Sequence, residues 1–290
     1  MVRRIGAQAA MTGESVLIDR GFARIGAGLV HYRHVGPADG APLIMLHASP
    51  GSSRGLEGLM AALAALAPER RLIAPDTLGN GDSVEPAVET PDIAWYADRV
   101  AEFMTALGID HAPVYGTHTG ARIAAELGIA HAARVDAVLF DGIGDYEPEM
   151  RALLLERYAP AIEPDEYGRH LIWAFNFIRD QAMHYPYFLR DPEHRLMTRA
   201  VPGAEEMHER VIELLKSVTS YHKSYRAAFA YRATERLPLL SKRTGFLDSV
   251  AELPTLRARV QDFVAAMPDA RSIEVAAGPA GKAAGIFAFL

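Results

Sequence analysis

Apolar and polar residues follow two different periods along the first half of the chain. The segment FARIGAGLVHYRHVG contains two alternating stretches around Gly26 and Gly28, a pattern typical of a β-hairpin. The continuous apolar runs PLIMLH and DAVLFDG are instead typical of strands buried on both faces of a parallel sheet. Helical periodicity lies between such runs, at about residues 53–67 and 91–107. This repeated alternation predicts an α/β fold with a doubly wound, mostly parallel sheet.

The pattern changes after Gly144. Strand signals stop there, and aromatic-rich helical stretches such as HLIWAFNFIRDQAMHYPYF and SVTSYHKSYRAAFAYR take their place. The strand–helix alternation returns at Lys242 and continues to the end of the sequence. We therefore expect an α/β core in two parts, residues 1–144 and 241–290, with residues 145–240 forming an inserted helical cap.

The composition of the chain excludes several kinds of binding partner and site. The 290 residues are half apolar and carry a net charge of -6, with acids and bases mixed along the chain, so no basic footprint for nucleic acid or anionic membrane is present. Cysteine is absent, which excludes disulfides and thiolate metal sites. The opening MVRRIGAQAAMTGES lacks the apolar core of a signal peptide, and no apolar run has the length of a membrane span. We expect a cytoplasmic protein that takes a small-molecule substrate and uses no cofactor, with a homodimer as one option for its assembly.

Three glycine-containing turns follow predicted strands of the first half of the chain. They are LIMLHASPGSS, IAPDTLGNGDS and VYGTHTGARIAAELG. In this order and spacing they resemble the oxyanion loop, the turn after the fourth strand and the nucleophile elbow of the α/β-hydrolase fold. The resemblance covers Ala23 to about Gly144 and, more loosely, the end of the chain. It implies an eight-stranded, mostly parallel sheet, and the position of the insertion is similar to that of the cap in this family.

The sequence departs from the family pattern at two points. Family members place Ser, Asp or Cys at the tip of the elbow, whereas the motif GTHTG places His118 there. The family also has a histidine after the last strand, but His222 is the last histidine of this chain. A Ser-His-Asp relay therefore cannot be assembled in its usual positions, and the resemblance implies an atypical member of the superfamily.

His118 is the leading catalytic candidate. An elbow tip normally has positive φ, which histidine tolerates better than β-branched residues do, and an imidazole can accept a proton from water or substrate. General base is the favoured role, and nucleophile is the alternative. By resemblance the strands ending at His47, His118 and Asp141 are neighbours, so these three side chains are expected to share one pocket floor. Asp141 or Asp145 is the candidate to orient the imidazole.

Each neighbour of His118 has a structural alternative. His47 is also interpreted as a residue that ties the oxyanion loop down, and Asp141 as a residue that caps its own loop. A metal held by His47, His118 and Asp141 is chemically conceivable but not expected. Glu252 falls near the usual acid position of the family, although a solvated acid at a helix start is the favoured interpretation.

The resemblance also suggests groups that would contact a substrate. The backbone N–H groups of Ser49 and Thr119 match the oxyanion donors of the family, and such donors stabilise developing negative charge whichever group attacks. Aromatic residues of the cap are candidates to line the pocket, among them Trp173, Tyr185 and Tyr221, but a helical cap also needs a core of its own.

Two hypotheses of function follow. The first is an α/β-hydrolase-fold enzyme with His118 as general base, acting on a small apolar or aromatic ester, lactone or related carbonyl compound by hydrolysis or lyase-type cleavage. The alternative is a catalytically inactive relative that binds a small ligand under the cap. An open pocket reaching the imidazole favours the enzyme, and bulky side chains packed over it favour the binding protein.

Overall fold

A computed structural model describes residues 16–197 and 200–290 of the chain. The opening stretch MVRRIGAQAAMTGES, which was not expected to be a signal peptide, is residues 1–15 and lies outside the described residues.

The centre of the molecule is an eight-stranded sheet with the strand order β1-β2-β4-β3-β5-β6-β7-β8. The first hairpin pairs antiparallel with itself and with β4, and all other neighbours are parallel. The predicted doubly wound, mostly parallel sheet is thus confirmed. The strands are β1 Asp19–Ile25, β2 Gly28–Val35, β3 Ala41–Leu46, β4 Arg70–Pro75, β5 Ala112–Thr117, β6 Val135–Asp141, β7 Arg243–Ser249 and β8 Ala270–Val275.

Helices cover both faces of this sheet, which explains why the central strands read as continuous apolar runs. On one face Ile44 and Leu46 of β3 pack in a core with residues of α2, α3 and α9, while Leu43 and Met45 point to α1 and α10 on the other. The helices are α1 Glu57–Leu66, α2 Ile93–Ala106, α3 Thr119–Ala130, α4 Pro148–Arg157, α5 Arg169–Gln181, α6 Ala204–Lys216, α7 Tyr221–Ala230, α8 Ala233–Arg236, α9 Pro254–Ala266 and α10 Pro279–Phe289.

The segment between β6 and β7 is built from α4 to α8. In its described part an isolated bridge between His184 and Arg195 is the one β-type pairing. A third apolar cluster, rich in aromatic rings, holds these helices together, with Phe177 and Tyr221 almost fully buried inside it. The division of the chain at residues 144 and 240 into core and cap stays a prediction.

Polar contacts attach this helical segment to the sheet edge below it. The Ser220 hydroxyl donates to the carbonyl oxygen of Gly79 at 2.8 Å, and the buried Lys223 ammonium donates to that of Pro86 at 3.1 Å. The helices therefore stand above the loops that follow the parallel strands. No helix of the described chain is both long and apolar enough to cross a membrane.

Candidate active site

His118 occupies the turn between β5 and α3 in a strained conformation. Its φ of 48° and ψ of -103° make it the one non-glycine residue with positive φ in the described chain. Two glycines make the turn possible, because a Cβ on Gly116 would lie 2.2 Å from the Gly120 carbonyl oxygen, and one on Gly120 would lie 2.2 Å from that of Leu46. Backbone strain of this kind, costing about 1–3 kcal/mol, is typically found at functional positions.

Main-chain contacts fix the turn. The His118 N–H donates to the Asp141 carbonyl oxygen at 3.1 Å, and the His118 carbonyl oxygen accepts from the Arg122 guanidinium at 3.0 Å. Arg122 also donates to the Gly144 carbonyl oxygen at 2.8 Å, so one buried side chain ties the elbow to the loop after β6.

The imidazole of His118 faces a carboxylate from the loop after β7. Its Nε2 lies 3.3 Å from Glu252 Oε2, and the side chains are 40% and 8% exposed, respectively. The other oxygen, Oε1, accepts from the Leu253 N–H at 2.7 Å, which fixes the carboxylate. A carboxylate beside one ring nitrogen holds the proton on that nitrogen and leaves the other nitrogen as the basic one. The preference for Glu252 as a solvated acid is therefore wrong.

Room for this pair comes from Gly142, directly after β6. Its φ is +80°, and a Cβ there would lie 2.5 Å from Glu252 Oε2 and 2.9 Å from His118 Cε1. The glycine therefore allows the acid from β7 to pass β6 and reach the elbow. Sequence reasoning missed this contact, although a glycine directly after a strand was a usable signal.

Asp141 has a different set of partners from those expected. Its Oδ2 accepts from the Tyr115 hydroxyl at 2.5 Å and from the Lys282 ammonium at 2.6 Å, while only its backbone contacts His118. Burial and the adjacent carboxylate raise the pKa of Tyr115 well above its usual range, so the phenol stays a donor. The other candidate, Asp145, accepts from the Thr234 N–H at 2.8 Å. Neither aspartate orients the imidazole, and that part of the prediction is corrected.

His47 is committed to the oxyanion loop. One ring nitrogen bonds the Ala48 carbonyl oxygen at 2.8 Å, and the other accepts the Thr77 N–H at 2.8 Å. Burial lowers the pKa of His47, which keeps the ring neutral. With both nitrogens occupied, His47 has no free base to offer, so its structural interpretation replaces the catalytic one.

The metal set considered from the sequence does not form. In the described part of the chain, the ligand atoms close enough to share an ion belong to His31, Asp76 and Asp82 rather than to His47, His118 and Asp141. Asp76 already accepts from the N–H groups of Ser53 and Asp82 and pairs with His31 at 2.8 Å. It acts as the organiser of the turn after β4.

The two expected oxyanion donors both line the cavity described below, Ser49 in the loop after β3 and Thr119 at the start of α3. The Ser49 N–H donates a hydrogen bond to the Thr119 hydroxyl oxygen at 3.4 Å, so this donor is engaged within the site. The Ser49 hydroxyl is bonded to that of Ser224 on α7 at 2.7 Å. The oxyanion loop is thus linked both to the elbow and to the helices above it.

A cavity of about 920 Å³ opens above the elbow and reaches His118. Its floor is formed by the loop from His47 to Ser52 and by the elbow, and its roof by residues of the helical segment. Four tyrosines line it, and one of them, Tyr185, is among the three contacts named from the sequence; they are Tyr146, Tyr158, Tyr185 and Tyr225. Gln181 donates to the hydroxyls of Tyr158 and Tyr225 at 3.2 and 3.0 Å.

Two of the three expected aromatic contacts lie elsewhere. Trp173 stacks on Phe177 with ring centroids 4.8 Å apart, and the buried Tyr221 donates to the Pro160 carbonyl oxygen at 2.6 Å. Both belong to the core of the helical segment and not to the cavity wall, whereas Tyr185 does line the cavity. Aromatic composition alone could not distinguish the two sets, because both faces of these helices carry rings.

Comparison with known proteins identifies the architecture. A family model for the alpha/beta hydrolase fold matches residues 41–177. The 2-hydroxymuconate semialdehyde hydrolase of Pseudomonas sp. (strain CF600) is 31% identical over 137 residues, which cover 47% of this chain and 43% of that protein. The match thus spans less than half the length of this relative.

Solved structures extend the likeness over nearly the whole chain. A hydrolase from Pseudomonas aeruginosa PA01 superposes with a TM-score of 0.72 at 16% identity, covering 93% of this chain and 98% of that one. Epoxide Hydrolase A from Mycobacterium thermoresistibile gives a TM-score of 0.73 at 17% identity, covering 94% and 98%. At such identities the likeness concerns the fold alone, and we conclude that this chain has the α/β-hydrolase fold.

Proposed function

We propose that this protein is an enzyme that uses His118, oriented by Glu252, as a general base on a small carbonyl compound. The observation that carries the proposal is the cavity of about 920 Å³ that reaches an exposed imidazole backed by a largely buried carboxylate. A binding protein would have no need to keep a strained, acid-paired histidine open to its ligand.

The pairing assigns a role to each ring nitrogen. In the proposed mechanism the Glu252 carboxylate, 3.3 Å from Nε2, holds the proton on that nitrogen, and Nδ1 carries the lone pair that takes a proton. The Ser49 hydroxyl, in the loop beside the elbow, pairs with that of Ser224 at 2.7 Å, which supports a base acting on water or substrate rather than on this serine.

In the proposed hydrolysis, Nδ1 of His118 removes a proton from water as the water oxygen bonds to the substrate carbonyl carbon. The carbonyl electron pair moves to oxygen, where the Thr119 N–H and the Ser49 N–H, which exchanges its bond to Thr119 Oγ1 for one to the substrate oxygen, stabilise the negative charge. When the intermediate collapses, the carbonyl re-forms, the bond to the leaving group breaks, and the leaving group takes the proton back from the imidazolium.

The class of substrate is proposed from the cavity wall and from one relative. The four tyrosine rings and Phe229 give the wall apolar surface with a few hydroxyls, which suits a small apolar or aromatic molecule. The partial relative named above is a hydrolase of a semialdehyde, which agrees with chemistry at a carbonyl carbon. Lyase-type cleavage would begin with the same proton transfer to His118.

A screen of aryl esters, lactones and aromatic keto acids with the native protein, His118→Ala and His111→Ala tests the proposal. The general base contributes about 10²- to 10⁴-fold to the rate, so His118→Ala should lose that factor. His111 is an exposed histidine paired with Asp136 on the surface, and its replacement should leave the rate unchanged. An activity that survives His118→Ala would overturn the assignment.

A fluorophosphonate probe and a His118→Ser variant separate this mechanism from that of a decayed serine hydrolase. The native protein should resist stoichiometric labelling, because no serine is paired with a histidine in the described site. His118→Ser should remain inactive, since the second histidine needed to activate the hydroxyl is missing after β8. Rapid labelling of any serine, with Ser49 examined first, contradicts the base mechanism.

A further inference from the structure

The charged side chains of the cavity wall are unevenly paired. Arg54 lies 2.7 Å from Glu209, Arg210 lies 2.6 Å from Glu206, and the largely buried Glu213 lies 3.2 Å from Lys216. Arg122 differs from these. Within the described residues it has two carbonyl oxygens as partners and no carboxylate at ion-pair distance.

Arg122 is also deeply buried. The residue is 4% exposed, and its Nε is enclosed without any hydrogen-bond partner in the described structure. Two carbonyl dipoles do not neutralise a full positive charge, and a buried charge without a counter-charge is unfavourable. A negative ligand group in the adjacent cavity would therefore be stabilised more strongly than by the same charge at a protein surface.

The nearest acid of the site does not supply that counter-charge to the cavity. Glu252 is directed at His118 Nε2 and the Leu253 N–H, and although Ala251 and Leu253 line the cavity, Glu252 does not. A molecule in the cavity consequently meets the wall formed by Arg122 and not the Glu252 carboxylate.

A directed hydrogen-bond donor lies in the same wall. The Tyr185 hydroxyl donates to the Tyr146 hydroxyl at 2.6 Å, and the Tyr146 hydrogen has no acceptor among the described residues. A hydroxyl that accepts one hydrogen bond becomes a stronger donor in the next. Burial raises the pKa of Tyr185 well above its usual range, and the charge of Arg122 acts against that rise, which indicates that Arg122 and this pair share one electrostatic environment.

We infer that the cavity selects a small carboxylate, whose negative group accepts the Tyr146 hydrogen in the field of Arg122. Among the described residues of the wall, one unpaired positive charge matches one negative charge, which favours a carboxylate over a phosphate monoester carrying about two. The inference rests on the proposed function in that it names the substrate class of the same cavity, but it concerns binding alone.

Calorimetric titration with 3-phenylpropionate and its neutral amide, 3-phenylpropanamide, tests the inference. The two probes have nearly the same shape, so the ratio of their dissociation constants reports recognition of charge. The native protein should bind the acid about tenfold to a hundredfold more tightly than the amide, as expected for a hydrogen bond to a charged group. Arg122→Gln should remove this difference and leave amide binding in place.

Arg122 also holds the elbow, so Arg122→Gln can disturb the turn. Two further variants test the preference for the acid without removing Arg122. Tyr146→Phe should reduce the preference for the acid, and Arg232→Gln, which removes an exposed surface arginine paired with Glu235, should leave it unchanged. Equal affinity for both probes, undetectable binding of the acid, or a preference that persists in folded Arg122→Gln overturns the inference.

The result separates this inference from the proposed function. His118→Ala should keep the preference for the acid, because the imidazole is not part of the charge recognition. A protein that prefers the acid yet catalyses nothing refutes the proposed function alone. An active enzyme that ignores the charge refutes only the carboxylate selection.

Discussion

Two acid–base pairs, Asp141–Lys282 and His118–Glu252, lie at the carboxyl edge of the same sheet, and they differ in how far they are enclosed by protein. The Asp141–Lys282 pair is closed: the carboxylate is buried, and one oxygen accepts from both Lys282 and Tyr115. The His118–Glu252 pair is open on one side, with a largely buried acid and an imidazole 40% exposed to the cavity. The difference teaches that position at a strand end does not decide function. What decides it is whether the second partner keeps a free atom facing the cavity.

The substitution Gly142→Ala should disturb the open His118–Glu252 pair most strongly. The added Cβ would lie 2.5 Å from Glu252 Oε2 at a position with φ of +80°, so Glu252 must move and the backbone must be strained by about 1–2 kcal/mol. Activity should fall as far as in a variant lacking Glu252, with a lower melting temperature as well. Gly108→Ala is the matched control, because it has φ of +68° and open space around the added Cβ. If Gly142→Ala loses only as much stability as Gly108→Ala and keeps full activity, Gly142 has no part in placing the pair.

Removing the acid alone should affect rate and spare the fold. Glu252→Gln keeps the shape of the side chain but loses the charge that holds the Nε2 proton, and loss of an orienting partner typically lowers activity about tenfold to a hundredfold. The change should appear in kcat, while KM and the melting temperature stay near native values. A KM effect without a kcat effect would show that Glu252 contacts substrate instead of orienting the base.

The reverse outcome is expected for the closed pair. Asp141→Asn leaves the Lys282 ammonium without its anion and weakens the bond to the buried Tyr115 hydroxyl, which should reduce the free energy of unfolding by about 1–3 kcal/mol. The specific activity of the folded fraction should stay unchanged. Chemical denaturation and kinetics on the same preparation check both statements. An activity loss that exceeds the stability loss would place Asp141 back in the catalytic machinery.

Acid should lower the free energy of unfolding through a third group, His47, because the unfolded chain binds its proton more readily. Burial lowers the pKa of His47, so the folded state binds its proton less readily than the unfolded state. Its contribution to stability is present above the ordinary imidazole pKa and is lost as the pH falls below it, by up to about 1.4 kcal/mol per pH unit. Urea titrations between pH 8 and pH 5 measure this slope, and His47→Gln should make it shallower. An unchanged slope would assign the effect to other groups.

The carboxylate of Asp76 should respond only at lower pH. Burial by itself would raise its pKa, but hydrogen bonds from His31, Ser53 and the Asp82 N–H hold it well below its usual range. The stability it provides is therefore present above the ordinary carboxyl pKa and lost as the pH falls below it. The two windows distinguish Asp76 from His47 in one titration.

The sequence allowed the sheet and the elbow to be predicted because both depend on local patterns. Apolar runs bounded by turns mark the strands, and the spacing of Gly116, His118 and Gly120 marks the turn whose tip stands above the sheet. The Glu252 contact depends instead on the path of the chain after β7 and on the space left by Gly142. That space results from the packing of the loop after β6 against the loop after β7, and the sequence of either loop alone does not specify it.

The cavity wall could be predicted only in part for a similar reason. Tyr185 and Tyr221 belong to equally aromatic stretches, yet the first lines the cavity and the second lies in the core of the helical segment. Which face of a helix meets its neighbours depends on the phase of several helices at once. Arg122 was missed because an arginine four residues after the elbow tip has the spacing of an ordinary helix residue.

The elbow is held by main-chain atoms, which every residue type except proline possesses. The His118 N–H and carbonyl oxygen make its fixing bonds, its side chain makes no capping bond to α3, and the close approach comes from the flanking glycines. Replacement of His118 by another residue that tolerates positive φ therefore leaves these bonds in place, so the reactive group can change while the turn is kept. For evolution this lowers the barrier between one catalytic chemistry and another, and for the protein engineer it makes residue 118 a suitable site for saturation mutagenesis in a search for new reactions.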